Sequence, residues 1–335
     1  MRHRAITSLL APVVLVVSAV LVAGCASAPS ASVDGKVAAS RSDTNWAKNG
    51  KWRNRTGSST TTPTTAAPSS NPTTTSTTAS TTVPKATTSS VPVGSTTTVV
   101  PGSWWRPVAG LSWQWQLDGV IDTSVDAAVF DVDVFDVPAS TVAELKAKGR
   151  KVICYFTVGS WETYRPDVAS MPESVKGKAP DGWPEERFLD IRRIDVIGPY
   201  MERRFDLCKQ KGFDGVEGDW MDNHTQDTGF PITYADQLRY TRWLIDQAHR
   251  RGLAMGVKNA LDMAGELADE ADFSVNEQCA EFNECRELLP WIRANKPVFH
   301  TEYNLSTAQF CPVTQPLGFS SLQKRLALDA WRRTC

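Results

Sequence analysis

"GFDGVEGDWMDN", Gly212 to Asn223, sets four carboxylates (Asp214, Glu217, Asp219 and Asp222) among Phe213, Val216, Trp220 and Met221. A solvated acidic loop has no use for the apolar residues between the charges. A strand does. Along Val216-Glu217-Gly218-Asp219 successive side chains point to opposite faces, so Glu217 and Asp219 share one face and Val216 takes the other. The stretch reads as a short buried strand with acids at its C-terminal end. Val216 is expected to face covering helices, and Gly218 to leave close access for backbone or ligand.

The same pattern recurs on either side. "LSWQWQL" (111–117), "AAVFDVDVFD" (127–136) and "RKVICYFTVG" (150–159) precede it as strands. "LAMGVKNA", "FSVNEQCAE" and "KPVFHTEYN" follow, and "FSSLQKR" is a weaker eighth. Helical spacing fills most gaps: "STVAELKAKG" ends at Gly149, "RRIDVIGPYMERRFDLCKQKG" at Gly212 and "YADQLRYTRWLIDQAHRRG" at Gly252. Apolar strands alternating with helices imply parallel pairing. No glycine-rich phosphate loop follows the first strand, so the expected fold is a (β/α)8 TIM-type barrel, not an open dinucleotide-binding sheet.

In such a barrel, chemistry gathers at the C-terminal ends of the strands. "FDVDVFD", "GVEGDW", "GVKN" and "VNEQ" all end in polar groups. Phe273, Val275 and Glu277 share one face, with Glu277 at the rim. Ser274 and Asn276 would then face helices, which a bulge before Glu277 would avoid. Two carboxylates from different strand ends suit glycoside hydrolysis, one attacking the anomeric centre and one moving a proton. The same acids could instead ligate Mg²⁺ or Ca²⁺, or be structural. Trp113 and Trp115 alternate with Gln114 and Gln116; the expected arrangement has the glutamines lining the cleft and the rings against helices.

The ends of the chain point to export. A basic start, Met1 to Arg4, and an apolar run from Ile6 to Val22 have the layout of a signal peptide. Leu21-Val22-Ala23-Gly24-Cys25 resembles a bacterial lipobox, which implies cleavage after residue 24 and lipid on Cys25. Residues 25–102, dominated by Thr, Ser and Pro, are expected to form a disordered stalk with too little apolar surface to fold. Residues 103–335 form the expected barrel domain. A formal charge of −1 argues against nucleic acid as a partner. Seven cysteines less Cys25 leave an even six, as for disulfides in an exported domain. The pairing favoured is Cys154–Cys208, Cys279–Cys285 and Cys311–Cys335.

"WQWQLDG", "VFDVDVFD", "KVICYFTVGSWETYRPD", "GFDGVEGDWMDN" and "GVKN", in that order, resemble glycoside hydrolase family 114, the endo-α-1,4-polygalactosaminidases. The resemblance runs from about Leu111 to Tyr303. It implies a barrel that cleaves within α-1,4-linked galactosamine-containing polysaccharide with retention, without metal or cofactor. By the same resemblance, Asp219 is the nucleophile and Glu277 the general acid/base. Glu217 is the second choice for catalysis and otherwise a substrate contact. Gly218 and Trp220 depart from the family pattern beside the aspartate, which bears on the subsite. Asp133 and Asp136 are candidates for holding substrate hydroxyl or ammonium groups, with turn capping as the rival role. Tyr155 and Tyr303 are candidates for lining the site, and Lys258 for lowering the nucleophile's pKa or binding a sugar oxygen. The expected protein is a monomeric lipoprotein on the outer face of the cell membrane, or a secreted one, with polysaccharide as partner. A non-catalytic polysaccharide-binding barrel and a metal-dependent hydrolase are the rival classes.

Overall fold

The computed structural model describes residues 103–335. The expected signal peptide, lipidated Cys25 and stalk lie outside the described residues. Among those described, no helix is long and apolar enough to cross a membrane.

The first three strands are β1 (Trp113–Trp115), β2 (Val129–Asp133) and β3 (Lys151–Thr157). A hairpin of β4 (Ser160–Glu162) and β5 (Glu186–Phe188) follows as a separate sheet. The main sheet resumes with β6 (Gly215–Asp219), β7 (Ala254–Lys258), β8 (Phe273–Glu277), β9 (Val298–Glu302) and β10 (Ser320–Gln323). β11 (Arg333–Thr334) adds an antiparallel edge to β10. The order β1-β2-β3-β6-β7-β8-β9-β10 is parallel throughout. All eight strands expected from the sequence are present, and the curled sheet is of the TIM type.

Helices α1 (Ala139–Ala147), α2 (Ile194–Lys211), α3 (Tyr234–Arg250), α4 (Ala264–Leu267), α5 (Leu289–Arg293) and α6 (Thr307–Thr314) follow successive strands from β2 onward. α3 shows why these segments are helical. Thr233 and Asp236 form a capping box, and Tyr240, Leu244 and Ala248 lie on one buried face at four-residue spacing. α2 stops at Gly212, whose φ of 88° suits glycine.

Two apolar clusters mark the two faces of the sheet. Val129, Ile153, Ala254, Phe273, Val275, Phe299 and Leu322 fill the interior. Phe130, Val132, Cys154, Val216, Met255 and Val257 pack outside with the helices. Val216 and Glu277 therefore face as the alternation requires. Gly256 sits opposite the Phe273 ring; a Cβ there would lie 2.1 Å from Cε2, so only glycine lets the ring fill the barrel. Gly218 does not serve a ligand. It faces outward, where a Cβ would lie 3.0 Å from Val158.

Two sequence expectations are corrected. Trp113 and Trp115 belong to the interior cluster, and the glutamines turn out. Outward glutamines are tolerated because backbone carbonyls meet them: Gln114 donates to Ala330, and Gln116 to Asp118 and Val120. β8 needs no bulge, since Ser274 through Glu277 pair in unbroken register with Val298 through Thr301. Asn276 is instead met by Asn259, to which its side chain donates at 3.3 Å.

A C-terminal arm lies along the seam between β1 and β10. Leu117 and Asp118 donate to the Leu328 carbonyl, and Arg332 donates to the carbonyls of Trp113 and Asp126. The three disulfides pair as expected, and Cys311–Cys335 fastens the arm's end.

Candidate active site

A cavity opens at the C-terminal ends of the strands, lined by Tyr155 from β3, Asp219 from β6, Lys258 from β7, Glu277 from β8 and Tyr303 after β9. Five residues singled out from sequence thus converge. Lys258 ties them together. Its Nζ lies 3.1 Å from Asp219 Oδ1, 3.2 Å from Glu277 Oε2 and 3.1 Å from Glu217 Oε1. The two outer carboxyls are reachable, with side-chain exposures of 22% and 24%; Glu217 is at 0% and lies beneath them. Glu217 is therefore too deep for the substrate contact considered from sequence.

The electrostatics separate these acids. Burial alone would raise Asp219, but the Lys258 ammonium, the Tyr155 hydroxyl at 2.8 Å and the Trp220 amide at 2.9 Å outweigh it and hold the carboxyl low. Burial opposes the charge on Lys258, yet Asp219, Glu277 and Glu217 together push its pKa well up. Glu277 accepts from the Tyr303 hydroxyl and from Asn259 Nδ2, and its backbone N–H donates to Asn259 Oδ1. Asp219 is thus an anion held by donors and faces Glu277 across a shared cation.

Backbone geometry re-aims the chain right after each of these strands. Trp220, Asn259, Ala260 and Gln278 all have φ between 43° and 62° although none is glycine. Such residues each cost about 1–3 kcal/mol and gather at functional sites. All four line the cavity. Trp220 donates from Nε1 to Glu186 Oε2 and meets the Phe188 ring edge-on, joining β6 to the β4–β5 hairpin.

Two predicted residues are elsewhere. Asp133 is buried in an ion pair with Arg165 and accepts from the N–H groups of Phe135 and Asp136. Asp136 is exposed, 3.5 Å from the same guanidinium. The capping role describes Asp133, and neither residue lines the cavity. Arg165 also pairs with Glu162. The excursion after β3 thus claims the acids that β2 presents at the rim.

Sequence reasoning missed several cavity residues. Trp115 lies under Lys258, 4.6 Å from ring centroid to Nζ, and its inward parity was the available signal. Trp183 and Glu186 come from the Pro-rich excursion and Leu326 and Leu328 from the arm; nothing local points to them. Asp222 and Glu284 also line the cavity; burial pushes their carboxyls up, to about 6 and about 7. Asp131, an inward residue of β2, lies buried against Glu217.

A metal fits poorly. The place a hard cation would take among Glu217, Asp219 and Glu277 is filled by an ammonium. Among the described residues, Cys279, Cys285 and His300 have ligand spacing, but the two sulfurs are bonded to each other.

A TIM-type barrel with two partly exposed carboxyls from the strands flanking β7, one held ionised, has the construction of a carboxylate-dependent glycoside hydrolase. Residues 94–335 match the description of Glycoside-hydrolase family GH114. The chain belongs to this family and is a glycoside hydrolase. It is 37% identical to Aspergillus fumigatus Ega3, solved in complex with galactosamine; that match covers 70% of this chain and 98% of the other at a TM-score of 0.67. The glycoside hydrolase domain of PelA from Pseudomonas aeruginosa shares the fold at 13% identity and a TM-score of 0.54, covering 67% of this chain and 98% of that one. No curated protein is similar enough to count as a match.

Proposed function

We propose that the chain is an endo-acting hydrolase of α-1,4-linked galactosamine polysaccharide, working by a two-step retaining mechanism. The observation that carries this is the single Lys258 nitrogen within 3.2 Å of both Asp219 and Glu277. The two nearer oxygens are therefore no more than twice that distance apart. This fits the roughly 5–5.5 Å of retaining pairs better than the roughly 6.5–9.5 Å of inverting ones. Asp219 attacks the anomeric carbon while Glu277 gives its proton to the departing glycosidic oxygen. Glu277, now a carboxylate, takes a proton from water, whose oxygen attacks the same carbon and breaks the bond to Asp219.

The substrate class rests on charge. Glu186, Asp219, Asp222, Asp262, Glu277 and Glu284 line the cavity, and Lys258 is the lysine or arginine among its lining residues. Such a cleft attracts ammonium groups, so deacetylated galactosamine fits better than the acetylated sugar. The galactosamine bound to Ega3 supports this.

We also propose that residues 1–24 are a signal peptide, that Cys25 carries lipid, and that residues 25–102 tether the catalytic domain outside the membrane. Three disulfides among the described residues support an oxidising compartment.

The test is incubation of the purified protein with acetylated and deacetylated α-1,4-galactosamine oligomers, with products read by mass and anomeric configuration by NMR. Shortened deacetylated oligomers with α configuration in the first product are expected. Asp219→Asn and Glu277→Gln should lose turnover while still binding. If no oligomer is shortened, the substrate is wrong; a β first product would overturn the mechanism.

A further inference from the structure

Asp131 and Glu217 are both wholly buried on the inward face of the sheet. Among the described residues no N–H or O–H group donates to either oxygen of Asp131, and the group against it is the Glu217 carboxyl. Two buried carboxylates in contact repel strongly, whereas a proton kept by one turns repulsion into a hydrogen bond. The surroundings decide which keeps it. Glu217 has the Lys258 ammonium at 3.1 Å, and among the described residues Asp131 is in no ion pair. Burial and then Glu217 push the Asp131 carboxyl well up; burial also raises Glu217, against the pull of Lys258 and of the bond from Asp131.

We propose that Asp131 is a positioning residue that holds a proton against Glu217, fixing the anion that keeps Lys258 between Asp219 and Glu277. The proposal rests on the reading of Asp219 and Glu277 as the catalytic pair. Its consequence is constant charge around the ammonium. Before the first step Lys258 faces the anions Glu217 and Asp219. When Asp219 is esterified and Glu277 has given up its proton, it faces Glu217 and Glu277. The number of anions is unchanged, so Lys258 needs no new position. Other titratable groups facing this cluster are Tyr155 and Tyr303, whose hydroxyls donate to Asp219 and Glu277, and Asp222, whose carboxyl feels the Asp219 charge.

Infrared difference spectroscopy tests the proton without turnover. In the Glu277→Gln protein, well above pH 7, Asp222 (about 6) and Glu284 (about 7) are ionised. One neutral-carboxyl C=O stretch is expected to remain there and to vanish when Asp131→Asn is added. No band, or a band that survives Asp131→Asn, overturns the proposal. Kinetics test the role. Asparagine still donates to Glu217, so Asp131→Asn should lower kcat/KM about 3-fold, and Asp131→Ala about 100-fold. The acidic limb of the pH profile should stay in place in Asp131→Asn and move to lower pH in Glu217→Gln, where Lys258 is less neutralised. An Asp131→Asn limb that moves like that of Glu217→Gln, or equal losses for Asn and Ala, sinks the idea. Should Asp131→Ala fail to fold, the limb and the infrared band still decide. Turnover surviving Glu277→Gln would instead refute the catalytic pair and leave the infrared result standing.

Discussion

Lys258 Nζ stands 3.1 Å from Asp219 Oδ1 and 3.2 Å from Glu277 Oε2, one ammonium shared by carboxyls from the strands on either side of its own. Its charge favours the ionised nucleophile. Lys258→Met should therefore raise the Asp219 pKa and move the acidic limb of kcat/KM to higher pH, with an activity loss of about 100-fold. A limb that does not move would show that Lys258 acts only through packing.

Affinity should change with pH on the acid side of neutrality. Burial raises Asp222 to about 6 and Glu284 to about 7, so both are neutral in mild acid and charged above these values. KM for deacetylated oligomers should fall as pH rises through this range, and KM for acetylated ones should change little. Asp222→Asn with Glu284→Gln should flatten the dependence. Equal dependence for both substrates would refute ammonium recognition by these acids.

Lys324 gives a stability prediction of definite sign. Burial depresses it to about 7, below its ordinary value of 10.5. The folded state then binds fewer protons than the unfolded state between these values, so stability is present above 10.5 and lost as pH falls through about 7. Its ammonium donates to the Asp329 carbonyl at 2.6 Å within the arm. Thermal melts of Lys324→Met should lose the part of the pH dependence in that window. A wild-type slope retained in the variant would count against this account.

The disulfides should differ in worth with the chain they close. Cys154–Cys208 spans 54 residues and Cys279–Cys285 spans 6. Loop-closure entropy assigns them about 4 and about 2 kcal/mol respectively. Urea unfolding of the two double Cys→Ala variants should show the larger loss for the first pair. The reverse order would mean that local strain or packing dominates.

The strands were legible because each carries its own signal, a run of alternating or continuous apolar residues closed by a turn. The parity of "GVEGD" likewise placed Glu217 and Asp219 inward. Parity was a weaker guide where polar residues lie on both candidate faces. Gln114 was expected inside because an outward glutamine lacked a visible partner, and that partner, the Ala330 carbonyl, lies 216 residues away. Asp133 was misplaced for a similar reason, since Arg165 comes from an excursion whose path no local pattern gives.

The sequence by itself determined the barrel, the family and the strand ends that bear the chemistry, because side-chain alternation and helical spacing are local properties of the chain. Only the tertiary structure decided that one lysine joins three acids, that Asp131 lies buried against Glu217, and that the excursion and arm wall the cavity. These depend on which strands become neighbours when the sheet curls, and charges interact through space without regard to their order along the chain.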